Sequence, residues 1–214
     1  MRIAIGPLPP ASDFDDAASG WNALREPPPL AAIALSLPIG VALAYGLGAA
    51  WKAFTPLNPG FSITFSSKLS VITPVVALLL LIAIHEILHA VSAPGFGLSD
   101  RTIIGVWPSR GVFYAHYDGE MTAMRFIVVL IMPLTVISVI PLLVAIAFGW
   151  GHRSIAFAGV LNALFSCVDV LGVGLLLPQV PMRASVRNSG WKTWYRNPET
   201  CWGVAEQRDE REPE

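Results

Sequence analysis

The chain has 214 residues, of which 54% are hydrophobic and only 14% charged, with mean hydropathy +0.58 and a formal net charge of −1. Soluble domains carry about a quarter charged residues, so this deficit excludes an ordinary soluble surface over most of the chain. Near-neutrality also argues against nucleic acid as a partner.

In chain order, residues 1–29 are acidic and proline-rich, with no short apolar core followed by a small-residue cleavage site. They read as a loose N-terminal segment and not as a signal peptide. Four apolar runs follow: Leu30–Trp51, Leu69–Ala93, Phe126–Gly149 and Ser154–Val180. Each reaches the roughly 20 residues that a helix needs to cross a bilayer. Pro74, Pro133 and Pro141 lie inside these runs and predict kinks, since membrane helices tolerate proline when neighbours satisfy the freed carbonyls. Cys167 lies in an apolar run and Cys201 in a polar tail, so no disulfide framework is expected.

Between the second and third runs, Thr102–Trp107 and Gly111–Tyr117 are β-branched and aromatic and flank Pro108-Ser-Arg110. That pattern predicts a β-hairpin. The expected fold is an all-α membrane protein: a bundle of about four transmembrane helices with a small β-hairpin between the second and third. Residues 30–180 form the transmembrane domain and 181–214 a cytoplasmic juxtamembrane tail. With four spans, eleven of the fourteen Lys and Arg residues fall on the side shared by both termini. By the positive-inside rule that side is cytoplasmic.

The second run carries His85-Glu86-Ile87-Leu88-His89, an H-E-x-x-H pattern. Residues four apart share a helix face, so both imidazoles can bind one metal. Glu86 lies about 100° further round. It is placed to take a proton from a water held on the metal, the division of labour that hydrolysis requires. With four histidines and eight glutamates in the chain, chance yields this pattern in about three of a thousand such sequences. A catalytic zinc site normally has a third protein ligand. Asp169 is the only acidic residue within the other three runs and shares one small, polar stripe with Gly159, Asn162 and Ser166. Its depth, about 16 Å from the end of its run, lies within about two helical turns of the histidines, about 9 Å from theirs. A carboxylate bonded to a neighbouring hydroxyl is the structural alternative.

The H-E-x-x-H motif late in a span, the Phe113-Tyr114-Ala115 strand, Pro133 and the Asn162…Ser166…Asp169 stretch together resemble a bacterial zincin peptidase family of small integral-membrane proteins. That family is similar to the site-2-type intramembrane metalloproteases. Over residues 65–195, the resemblance implies His85, His89 and Asp169 as metal ligands, zinc (Zn2+) as cofactor and Glu86 as general base. It also implies Asn162 as a substrate-binding residue, although hydrogen bonding between helices accounts for an asparagine there equally well. The Val168-Asp169-Val170 setting departs from the Leu-Asp-Gly usual in site-2 proteases.

The remaining polar residues carry plainer expectations. His116 reads as an ordinary strand residue, Cys167 as a small buried side chain, and Asp118 and Glu120 as solvated groups beside a turn at Gly119. Arg183, Arg187, Lys192 and Arg196, interleaved with Trp191, Trp194 and Tyr195, read as an interfacial anchor on anionic lipid. The resulting expectation is a zinc-dependent endopeptidase of a bacterial plasma membrane, cleaving membrane-protein or peptide substrates at the lipid bilayer. The alternative is a non-catalytic zinc-binding membrane protein: a sensor, carrier or scaffold.

Overall fold

A computed structural model describes residues 1–11, 14, 20–56 and 68–197. Cys201, Arg208 and Arg211 lie outside the described residues. The chain divides into two compact units, one drawn from residues 30–89 and 130–171, the other from 1–29, 90–129 and 172–214.

The first unit is helical. Its elements are α1 (Pro29–Phe54), α2 (Lys68–Ser92, to His89), the C-terminal part of α3 (Ala123–Pro133), a π-helical segment (Leu134–Val139), α4 (Ile140–Ala147), α5 (Arg153–Phe165) and the first half of α6 (Cys167–Leu176). Pro29 opens α1, where a missing N–H costs nothing. Ala32, Ser36 and Gly40 are buried at four-residue spacing along one face of α1. A Cβ on Gly40 would lie 2.8 Å from the Leu164 carbonyl oxygen and 2.9 Å from Cys167 Cβ, so only glycine permits this approach. Trp51, Leu142, Ala145 and Ala156 form a separate apolar cluster.

Three helices, Pro29–Phe54, Ile72–Ser92 and Ala123–Ala147, are long and apolar enough to cross a membrane. The run expected as a fourth span, Ser154–Val180, holds two helices bent by 46° around Ser166, which together are long and apolar enough to count as one broken span. The third run is continuous, and between Pro133 and Pro141 it widens into a π turn, where the Ile140 N–H bonds the carbonyl of Thr135, five residues back. Proline has no N–H and its ring crowds the carbonyl four residues before it, which for Pro141 is that of Ile137 inside this segment, and a wider turn accommodates both defects.

The second unit contains two sheets, which corrects the expectation of an all-α protein with one hairpin. The predicted hairpin is present as β3 (Thr102–Trp107) and β4 (Val112–Tyr117), in register from Thr102↔Tyr117 to Trp107↔Val112. Gly111 closes its turn at φ 62°, a left-handed conformation that suits glycine. The strand β1 (Arg2–Ile5) pairs parallel with β3, giving the order β1-β3-β4. A second sheet has the order β2-β7-β6-β5, from Asn22–Ala23, Lys192–Arg196, Ser185–Ser189 and Met121–Thr122.

Parts of the segment expected to be loose and of the charged tail are therefore strands. Ser185–Ser189 and Lys192–Arg196 pair with each other as a local hairpin around Gly190-Trp191, whereas Arg2–Ile5 and Asn22–Ala23 find their partners a hundred residues away or more, beyond the reach of any local pattern. Arg187 bonds Asp118 at 3.2 Å with both side chains nearly covered, and Arg196 bonds Glu120 at 3.2 Å. Asp118 is thus a buried ion-pair partner and not a solvated turn residue. Arg196 also lies over the Trp21 ring and Arg187 over that of Phe14, so both cations are engaged inside the protein. Leu24, Ala123, Leu176, Val180, Ala184 and Val186 form the core of this unit.

Candidate metal centre

The helical unit reverses the usual rule of burial along α2. His85, Glu86 and His89 are buried, while Ile84, Ile87 and Val91 are exposed by 45% or more. Side chains four apart on a helix lie on one face, and both imidazoles turn inward toward Asp169.

His85 Nε2 lies 3.4 Å from Asp169 Oδ2, and His89 Nε2 lies 3.5 Å from Asp169 Oδ1. The two Nε2 atoms are 3.2 Å apart, with the rings edge-to-face at 77°. One ligand atom from each of the three residues lies within 4.8 Å of the other two, close enough to share one cation. Lone pairs on three such atoms repel unless protons or a cation lie between them, and two imidazoles with one carboxylate form a donor set suited to zinc. These residues fit a zinc ion.

Asp169 reaches this position because the chain breaks just before it. The helix α5 ends at Phe165 and α6 begins at Cys167. Ser166 marks the break by bonding the carbonyl of Asn162 through both its N–H and its hydroxyl, at 2.9 and 3.0 Å. Cys167 is buried, as expected.

Asn162 is fully enclosed. Its Oδ1 lies 2.8 Å from His85 Nδ1, and its Nδ2 donates to the carbonyl of Pro133 at 3.1 Å and to Ser138 Oγ at 2.9 Å. Three of its four hydrogen-bonding positions are used within the protein. Asn162 thus makes the hydrogen bonds between helices that were the other reading of this position, and solvent does not reach its amide. Ser138, which sequence reasoning missed, is also fully buried and donates to the Gly159 carbonyl at 2.7 Å. Its one available signal was a hydroxyl within an apolar run, where such groups commonly bond a neighbouring helix.

Residues 78–185 match the model of the family described as Putative zincin peptidase. The match covers just over half of the chain. The chain belongs to this family. The matched span contains His85, Glu86, His89, Asn162 and Asp169. That membership implies zinc as the metal and metallopeptidase chemistry as the activity. No curated protein and no solved structure matches the chain.

His116 lies outside this cluster, in β4 of the other unit. It is buried, and neither ring nitrogen has a hydrogen-bond partner among the described residues. Burial holds its pKa below the usual histidine value; Asp118 opposes that shift, and Arg187 and Arg2 add to it. Glu26 is shifted the other way, its carboxyl pushed up by burial against the bonds it accepts from Thr193.

Proposed function

We propose that this zincin peptidase is a zinc-dependent endopeptidase that works within the bilayer on membrane-associated protein substrates. The observation that carries the reading is the meeting of His85 Nε2, His89 Nε2 and an Asp169 carboxylate within 4.8 Å of one another, on helices bearing apolar outer surfaces. Burying two imidazoles and two carboxylates among such helices is costly unless they share a task or a cation.

His85, His89 and Asp169 hold the metal in this reading. Zinc, when bound, acidifies a water and polarises a peptide carbonyl. Glu86, buried beside His85, accepts the proton from the attacking water and returns it to the leaving amine. The apolar helix surfaces exclude bulk water, which strengthens each electrostatic contact at the centre. The excess of Lys and Arg on one side supports a topology with both termini in the cytoplasm of a bacterial cell.

Two measurements test this reading. Detergent-purified protein is expected to carry about one zinc per chain, lost in His85→Ala. Membrane proteins trapped by a Glu86→Ala variant in native membranes are expected to be cleaved by the wild type. Equal turnover of such a substrate by the purified wild type and Glu86→Ala protein sinks the reading.

A further inference from the structure

We infer that Asn162 is a positioning residue that locks His85 in its Nδ1–H tautomer, and that Ser138 and the Pro133 carbonyl brace it for that purpose. The metal part of this inference rests on the proposed zinc role of His85. The tautomer part stands on the hydrogen bonds alone.

The orientation of the amide follows from what its neighbours can do. A carbonyl oxygen only accepts, so the group 3.1 Å from the Pro133 oxygen must be the NH2 of Asn162. Ser138 donates its hydroxyl to the Gly159 carbonyl at 2.7 Å and therefore accepts from the same NH2 at 2.9 Å. The amide oxygen is left facing His85 Nδ1 at 2.8 Å. An oxygen cannot donate, so Nδ1 must carry the proton. In a neutral ring, Nε2 then holds the free lone pair, and this is the atom that faces His89 and Asp169. A ligating histidine whose other nitrogen is held by a hydrogen bond has both its tautomer and its ring plane fixed before metal arrives.

The brace depends on the π segment. A turn in which the N–H bonds a carbonyl five residues back brings residues five apart onto one side of the helix. Pro133 and Ser138 are such a pair, and both face Asn162. In a regular α-helix, residues five apart diverge by about 140° and could not grip one amide. Pro133 supplies the acceptor through its main-chain carbonyl, and Pro141, which disturbs the turn before it, promotes the wide turn. The four groups (Gly159 carbonyl, Ser138, Asn162 and His85) form one directed chain with Asn162 and Ser138 wholly out of solvent.

The test compares Asn162→Leu, which keeps volume but removes the acceptor, with Asn162→Asp, which still presents an oxygen to Nδ1. Nitrogen-15 spectra of histidine-labelled, metal-free protein in detergent read the tautomer directly, with the His85 signals assigned by their loss in His85→Gln. The wild type and Asn162→Asp are expected to show His85 as Nδ1–H, and Asn162→Leu to lose that state. Zinc titration of the same proteins should show affinity about 10–100-fold weaker in Asn162→Leu, with Asn162→Asp much nearer the wild type. A merely structural asparagine would lower thermal stability without changing the tautomer. The inference is overturned if folded Asn162→Leu keeps the Nδ1–H signal, or if the wild type shows Nε2–H. Should the wild type take up no zinc, the proposed function fails while the tautomer comparison still decides the role of Asn162.

Discussion

The two units of this chain differ in how much of their interior is polar. In the helical unit, Ser36, His85, Glu86, His89, Ser138, Asn162 and Ser166 are hidden beside one apolar cluster around Trp51, while many leucines, isoleucines and valines face outward. In the strand-rich unit, an aliphatic core of Leu24, Leu176, Val180 and Val186 is hidden together with a few polar groups such as Thr102 and His116, and charged residues pair around the strands. An apolar exterior around a polar centre suits lipid, where each inward polar group must find a partner. An apolar core beneath paired charges follows the rule for structures that meet water. The helical unit therefore derives specificity from hydrogen bonds, and the strand-rich unit derives it from packing and ion pairs.

Four changes would break or sharpen that contrast. The largest effect is expected from Glu86→Gln, which leaves the shape of the polar centre but removes its base. Peptide hydrolysis should fall by about 100–10,000-fold with zinc content unchanged, as read by turnover and metal analysis on one preparation. Next, Gly40→Val places a branched side chain against the Leu164 carbonyl, 2.8 Å from the new Cβ. Overpacking of this kind costs about 3 kcal/mol, and thermal unfolding in detergent should register it; an unchanged midpoint would mean that the helices separate freely there.

A smaller loss is expected in the strand-rich unit. Arg187→Met removes the cation that bonds the covered Asp118 carboxylate and should cost about 1–3 kcal/mol, measured as a lower unfolding midpoint. The smallest effect concerns pH. Because burial lowers the pKa of His116 in the fold, folding favours the neutral ring. The stability this confers is full above the ordinary histidine value of 6.5 and is lost as pH falls through that value toward the folded pKa. A His116→Leu variant should therefore lose less stability than the wild type between pH 7 and 5, and parallel curves would assign the acid sensitivity elsewhere.

Much of the candidate centre was legible because its signals are local or chemically rare. The two histidines four apart advertise a shared helix face, and Asp169 stands out as the single acid in its run because charge is so costly there. The β3–β4 hairpin was equally readable, since two β-rich runs around a proline-containing turn leave few alternatives. The Ser185–Arg196 hairpin was missed because its two short strands are polar and charged and so read as a tail. Arg2–Ile5 and Asn22–Ala23 gave no signal at all, since only partners far along the chain turn them into strands.

The amino-acid order by itself determined which stretches are apolar, which helix carries the paired imidazoles and which carboxylate could answer them. Tertiary structure decided that Asn162 turns inward to His85, that Ser138 and a proline carbonyl hold it there, and that the helix bearing Asp169 breaks at Ser166. The physical reason is that hydrophobicity and helical period are written within a few residues. A buried hydrogen bond has meaning only when both partners, here 77 positions apart for His85 and Asn162, are brought to within 3 Å.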